Sequence, residues 1–186
     1  MAVRLVLFGR QGAGKGTQAE RLCAHYRAPH ISTGEMLRDA AAEGSVVGKR
    51  VQVIVDAGQL VSDELMLDVI QDRLAHADVQ EGGFILDGFP RTMAQAEALL
   101  GLTTIDVAVN LEVPHDIVVE RMHGRGRADD HPEAITARLN TYETRTLLAL
   151  AYLDRQGLVV TVDGIGEPDD VFDRLVKAID SRVGVS

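Results

Sequence analysis

The sequence predicts an α/β domain: a five-stranded parallel sheet flanked by helices on both faces. Three observations carry this expectation. Short apolar runs, "VRLVLF" (3–8), "FILD" (84–87), "IDVAVNLEV" (105–113) and "LVVTVD" (158–163), alternate with stretches of helical periodicity, and strands separated by helices pair in parallel through right-handed crossovers. The runs are rich in Val, Ile and Leu, which suits strands covered on both faces. A glycine-rich turn, "GRQGAGKGT" (9–17), links the first run to a helix, the kind of junction at which such sheets bind ligands.

Along the chain, the strand at 3–8 leads through the glycine loop into a helix at 15–26, and a fifth short strand passes through "APHIS" (28–32). Ser32 or Thr33 can cap the next helix, at 34–43, because a side-chain hydroxyl there accepts from an otherwise unpaired backbone N–H. Further helices are expected at 46–57 and 63–76. The strand at 84–87 ends in Asp87, a turn made by Gly88 and Pro90 follows, and a helix occupies 92–100. After the strand at 105–113 a helix covers 115–122. The polar segment "HGRGRADDHPE" (123–133) interrupts two helical patterns and reads as an exposed flap. A long helix at 132–154 carries Ile135, Leu139, Tyr142, Leu147 and Leu150 as a core-packing stripe. The strand at 158–163 and a helix at 169–182 complete the pattern, with no repeat or low-complexity tract.

Composition narrows the function classes. With 186 residues, 46% of them apolar, the chain can bury a full core as one domain spanning 1–186. The net charge of −9 argues against a nucleic-acid or membrane-surface partner, since neither polyanion is drawn to an acidic molecule. Any anion site is then a local basic cluster, and sixteen of the nineteen basic residues are arginine, whose planar fork suits phosphate. The single cysteine, Cys23, excludes an internal disulfide and a multi-cysteine zinc site. In "AERLCAHY" it reads as a packed thiol, and a reducing cytoplasm fits. No signal peptide or membrane span is legible. The six histidines show no metal-ligand spacing.

Gly9 to Lys15 match G-x-x-x-x-G-K after a strand and before a helix. Glycine lets successive N–H groups turn inward around an anion, the helix N-terminus adds positive potential, and Lys15 supplies a point charge to the outer phosphates of a nucleoside triphosphate. The residue after Lys15 is Gly16, where Ser or Thr is usual, so Thr17 is the candidate to help hold magnesium with the phosphates and water. Asp87, at the carboxyl end of its strand, can attract the same ion through water, while Arg91 faces phosphate. Arg121, Arg125, Arg127 and Arg138 lie around the polar flap and, with Arg38 and Arg91, supply the cluster that the net charge demands. Cations converging on transferring phosphates indicate phosphoryl transfer. Where the acceptor is itself a phosphate, its oxygen is already anionic at neutral pH, so positioning and charge stabilisation suffice without a general base.

Beyond the loop, "ISTGEMLR" (31–38), "DAGQLVSDEL" (56–65), "DGFPRTMAQA" (87–96), "GRGRADD" (124–130), Arg138 and "VDGIGEPDDV" (162–171) occur in the order found in the nucleoside monophosphate kinases. The chain resembles that family over essentially its whole length, and its adenylate kinase branch most. The resemblance implies a P-loop nucleoside monophosphate kinase-like fold and reversible transfer from MgATP to AMP, giving two ADP, in a cytoplasmic monomer. It implies an inserted monophosphate-binding flap at 32–61 and a short ATP lid at 124–130 without zinc. ATP is then held by Gly12, Ala13, Gly14, Lys15, Gly16, Thr17, Arg121, Arg125 and the main chain near Ile165 and Gly166. The implied AMP site comprises Thr33, Arg38, Gln59, Leu60, Val61, Gly88, Phe89, Pro90, Arg91, Gln95, Arg127 and Arg138. Lys15, Arg91, Arg125, Arg127 and Arg138 are the implied catalytic set, and Asp129 and Asp130 anchor the closed lid. The related uridylate and cytidylate kinases typically carry alanine where this chain has Thr33, so Thr33 with Gln95 favours AMP. A pyrimidine monophosphate kinase and a nucleotide-binding regulator without turnover are the competing readings. Gln11 replaces the family's usual proline, which loosens the loop backbone.

Overall fold

The computed structural model describes residues 2–42, 53–54, 61–125 and 131–184. Five strands form one parallel sheet in the order β2-β3-β1-β4-β5. They are β1 (Val3–Phe8), β2 (His30–Ser32), β3 (Gly83–Asp87), β4 (Val107–Glu112) and β5 (Val159–Asp163). The register sets Leu7 of β1 beside Asp87 of β3 on one side and Val109 of β4 on the other. From β1 the chain passes to the edge strand β2, returns to β3 beside β1, and then crosses to β4 and β5 on the other side, so the strand order reverses at β1. A crevice opens there beyond the carboxyl ends of the strands.

Both faces of the sheet are covered, as the sequence predicts. Val3, Leu5 and Leu7 point to one layer, made of α1 (Lys15–Tyr26), α6 (His115–Arg125), α7 (Pro132–Thr141) and α9 (Pro168–Val183). Val6 and Phe8 point to the other, made of α3 (Asp63–Leu74), α4 (Ala77–Gly82), α5 (Met93–Leu102) and α8 (Leu147–Arg155). Helix α2 (Thr33–Ala42) leaves β2 at the crevice. Helix starts follow local chemistry: Thr92 caps α5 by accepting from Gln95 N at 3.2 Å, and Ser62 caps α3 by accepting from Leu65 N at 3.4 Å. Of the two hydroxyls expected to cap α2, Ser32 takes the part, accepting from Glu35 N at 3.4 Å. No described helix is long and apolar enough to cross a membrane.

Three elements depart from expectation. The helix expected at 63–76 stops at Leu74, and α4 forms before β3, where "HADVQEGG" offers a short helix and then a Gly82–Gly83 stop. The long helix expected at 132–154 is divided by one π-helical turn, Tyr142–Thr146, between α7 and α8. Its buried stripe continues from Ile135, Leu139 and Tyr142 through Thr146, Ala149 and Leu153, while Leu147 and Leu150 are only half-buried. Apolar character alone favoured the leucines, but Thr146 accepts burial because its hydroxyl donates to Arg91 O at 3.3 Å. Most of the expected helix at 46–57, most of the 32–61 flap and residues 126–130 of the expected lid lie outside the described residues.

Leu99, fully buried between α5 and the sheet, tests the packing. Leu99→Ala is expected to lower unfolding free energy by about 2–5 kcal/mol, read from the urea midpoint with an unchanged m-value.

Candidate active site

The glycine loop connects the end of β1, at the centre of the sheet, to the start of α1. Gly9, Gly12 and Gly14 all take positive φ, and a Cβ on Gly12 would lie 2.6 Å from Val118 O. The loop therefore closes against α6 only with hydrogen at that position. The loop and the first turn of α1 line a cleft of about 380 Å³. Lys15 Nζ donates to Gly9 O at 2.9 Å and to Arg10 O at 3.1 Å, folding the lysine back over the loop.

Across the crevice β3 delivers Asp87, and the turn Gly88–Pro90, with a cis Phe89–Pro90 peptide, brings Arg91 back towards the cleft. Arg91 Nε donates to Gly88 O at 2.7 Å and Arg91 N donates to Gln95 Oε1 at 2.7 Å. Burial pushes the Arg91 guanidinium below its ordinary pKa. Asp87 opposes that shift, while Arg138 and Arg38 add like-charge repulsion. Several positive groups are thus held close together, an arrangement suited to a polyanion.

The cleft gathers Gly12, Gly14, Lys15, Gly16, Thr17 and Arg121 from the expected triphosphate side with Arg38, Gly88, Phe89, Pro90, Arg91 and Arg138 from the expected acceptor side, and Asp87 lies between. Ala13, Thr33, Val61 and Gln95 are buried and do not line it. Thr33 donates weakly to Asp87 O at 3.4 Å, and Gln95 Nε2 donates to Asp63 Oδ1 at 2.7 Å. Gly166 lies off the cleft in the β5–α9 connection, which Arg121 approaches through Gly164 O at 3.5 Å. Gln59, Leu60, Arg127, Asp129, Asp130 and the side chain of Arg125 lie outside the described residues.

Sequence reasoning missed four lining positions in particular: His30, Thr141, Tyr142 and Thr146. Periodicity places Tyr142 in the core. It is both buried and cleft-lining, with its hydroxyl donating to Asn110 Oδ1 at 3.3 Å. No local signal separates such a residue from ordinary packing. Cys23, on the far side of α1, is half-buried, and burial followed by the nearby Glu20 pushes its thiol up to about 11.

For a divalent cation the donors fit. Asp87 Oδ1 is buried with no hydrogen-bond partner among the described residues, and Thr17 lines the same cleft. One carboxylate beside a phosphate loop matches the way magnesium keeps its waters and takes few protein ligands.

A phosphate-gripping strand–loop–helix facing an arginine cluster across a sheet switch point defines a P-loop phosphotransferase. The chain matches the adenylate kinase family model over residues 7–158. It is 45% identical to the adenylate kinase of Stenotrophomonas maltophilia (strain R551-3), across 95% of this chain and 99% of that protein. Identity is 43% to the enzyme of Xanthomonas oryzae pv. oryzae (strain MAFF 311018) and 41% to that of Xylella fastidiosa (strain 9a5c), at the same coverage. The chain belongs to the adenylate kinase family.

Gly88 gives a direct test of the acceptor wall. Its φ is +87°, and a Cβ there would meet Thr33 Oγ1 at 2.5 Å and Arg91 Nη2 at 3.1 Å. Gly88→Ala is expected to cost about 1–3 kcal/mol of stability through backbone strain, measured by urea unfolding.

Proposed function

We propose that the chain catalyses reversible phosphoryl transfer from MgATP to AMP, giving two ADP, by in-line displacement with charge stabilisation and no general base. Family membership carries the reaction class. The observation that carries the mechanism is the shared cleft in which Lys15 and the phosphate loop face Arg38, Arg91 and Arg138.

In this reading the loop N–H groups and Lys15 bind the outer phosphates of ATP, and Arg121 supports the same side. Arg38, Arg91 and Arg138 bind the acceptor phosphate and neutralise charge that builds on the transferring group. When bound, Mg²⁺ neutralises charge across the outer phosphates, with Asp87 (through water) and Thr17 as the residues that would hold it. The arginines are pre-assembled by the scaffold, so their alignment does not await the reaction. Neither nucleophile nor leaving group needs a proton removed, and the chemistry reduces to alignment and neutralisation.

The proposed lid residues Arg125 and Arg127 complete the cationic shell over ATP, with Asp129 and Asp130 anchoring it when closed. Gln59, Leu60 and Val61 form the proposed outer wall of the AMP site, and the main chain at Gly166 meets the ATP base. Closure matters because water competes with AMP as acceptor. A shell completed only over both substrates suppresses hydrolysis. Base selection falls to Thr33 and Gln95. The 3.4 Å bond of Thr33 is long enough to exchange, and one amide N–H of Gln95 remains beyond the bond to Asp63. The proposal includes a monomer in a reducing cytoplasm, which the lone thiol of Cys23 fits.

A coupled assay offering AMP, CMP, UMP and GMP with MgATP tests the acceptor assignment: AMP is expected to dominate, and equal use of CMP or UMP would overturn it. Lys15→Ala is expected to lower kcat by about 10³-fold, the scale of a lost electrostatic donor of about 4 kcal/mol. A folded variant with parental kcat would remove the phosphate loop from the mechanism.

A further inference from the structure

Arg10 occupies the second position of the phosphate loop, yet its side chain turns away from the cleft. Its Nε and Nη2 both reach Glu143 Oε1, at 2.9 Å and 2.7 Å, and its Nη1 donates to Val113 O at 3.2 Å just beyond β4. The guanidinium also lies over the Tyr142 ring, 5.4 Å from its centroid. One side chain thus ties the loop to the end of the adjacent strand and to the π-helical turn.

Both ends of this tie bear on the cleft. At the loop end, Arg10 O accepts from Lys15 Nζ at 3.1 Å and from Ala13 N at 3.0 Å, so the anchored residue carries a carbonyl that positions the lysine. At the other end the π turn follows Arg138 by four residues, Tyr142 lines the cleft, and Thr146 donates to Arg91 O at 3.3 Å. A π turn is an uncommon distortion that re-aims side chains and concentrates at functional sites. Here it presents Glu143 to the donor loop and Thr146 to the acceptor arginine. The loop also has Gln11 where proline would fix φ, so its backbone gains restraint from the side-chain anchor of its neighbour.

We propose that Arg10 is a positioning residue for phosphoryl transfer: its clasp on Glu143 and Tyr142 of the π turn fixes the loop that carries Lys15 relative to the segment that carries Arg138 and supports Arg91. Arg10 touches no reacting atom. The ion pair is part-exposed, with side chains 23% and 41% accessible, so its contribution to global stability is small. Its effect lies in registration of the two halves of the cleft, to which transfer rates are far more sensitive than stability is.

The test uses the full chain with four variants: Arg10→Ala, Arg10→Lys, Glu143→Gln and the double Arg10→Ala/Glu143→Gln. kcat, the KM values for ATP and AMP, and the urea midpoint are measured for each. Arg10→Ala and Glu143→Gln are each expected to lower kcat about tenfold, with the AMP KM changed less than about twofold and the urea midpoint held. The double variant is expected to match Arg10→Ala, because both changes cut the same link. Arg10→Lys recovers part of the rate by keeping the charge without the fork. Parental kcat in Arg10→Ala, losses that multiply in the double variant, or a rate loss that merely follows loss of folded protein would each overturn the clasp. The inference rests on the phosphotransfer reading, which parental turnover of MgATP with AMP tests by itself. A silent parent rejects that reading, whereas an active parent with an unaltered Arg10→Ala variant rejects only the clasp.

Discussion

Burial of the Arg91 charge beside two further arginines is the constraint around which the site is arranged. Arg38, Arg91 and Arg138 are close enough that burial first, and then Arg138 and Arg38, disfavour the charge on Arg91, with Asp87 as the opposing carboxylate. Left to themselves, such groups would point into water. They converge because each is rooted in a different rigid element: Arg38 in α2, Arg91 in the turn after β3, Arg138 in α7. The sheet and its two helical layers supply the rigidity, and in the proposed reaction substrate phosphates supply the missing negative charge.

The phosphate loop answers the same electrostatic requirement with backbone dipoles. Its glycines allow N–H groups and a helix terminus to face one point at the switch of strand order, next to Asp87. Positive potential from the loop and from the arginines therefore meets across a narrow cleft in a chain whose net charge is −9. In the proposed reaction, local concentration of cations against an acidic background favours phosphorylated ligands of modest size over extended polyanions.

Much of this was legible in the sequence because the signals are local. The five strands follow from Val-, Ile- and Leu-rich runs, the loop from its glycine spacing around Lys15, and the arginine set from blocks such as "DGFPRT". The parts that escaped depend on relations across the fold. The π turn leaves no composition signal; Thr146 replaces an expected leucine in the buried stripe because a carbonyl of Arg91, distant in sequence, accepts its hydrogen bond. Arg10 fills an unspecified position of G-x-x-x-x-G-K until Glu143, 133 residues further along the chain, is brought to it. Helix α4 was hidden in a short polar stretch between stronger elements. Each case concerns a partner more than fifty residues away or an element too short for periodicity to show.

If the cationic shell is completed only by a second nucleotide, ATP must survive in the site until AMP arrives. The direct measurement is MgATP consumption by the purified chain with and without AMP, counting ADP formed per ATP lost. Closure over both substrates predicts two ADP per ATP with AMP present, and AMP-independent hydrolysis slower by about 10³-fold or more, the scale on which excluding water and aligning the acceptor act. ATP consumption at a comparable rate without AMP would contradict it.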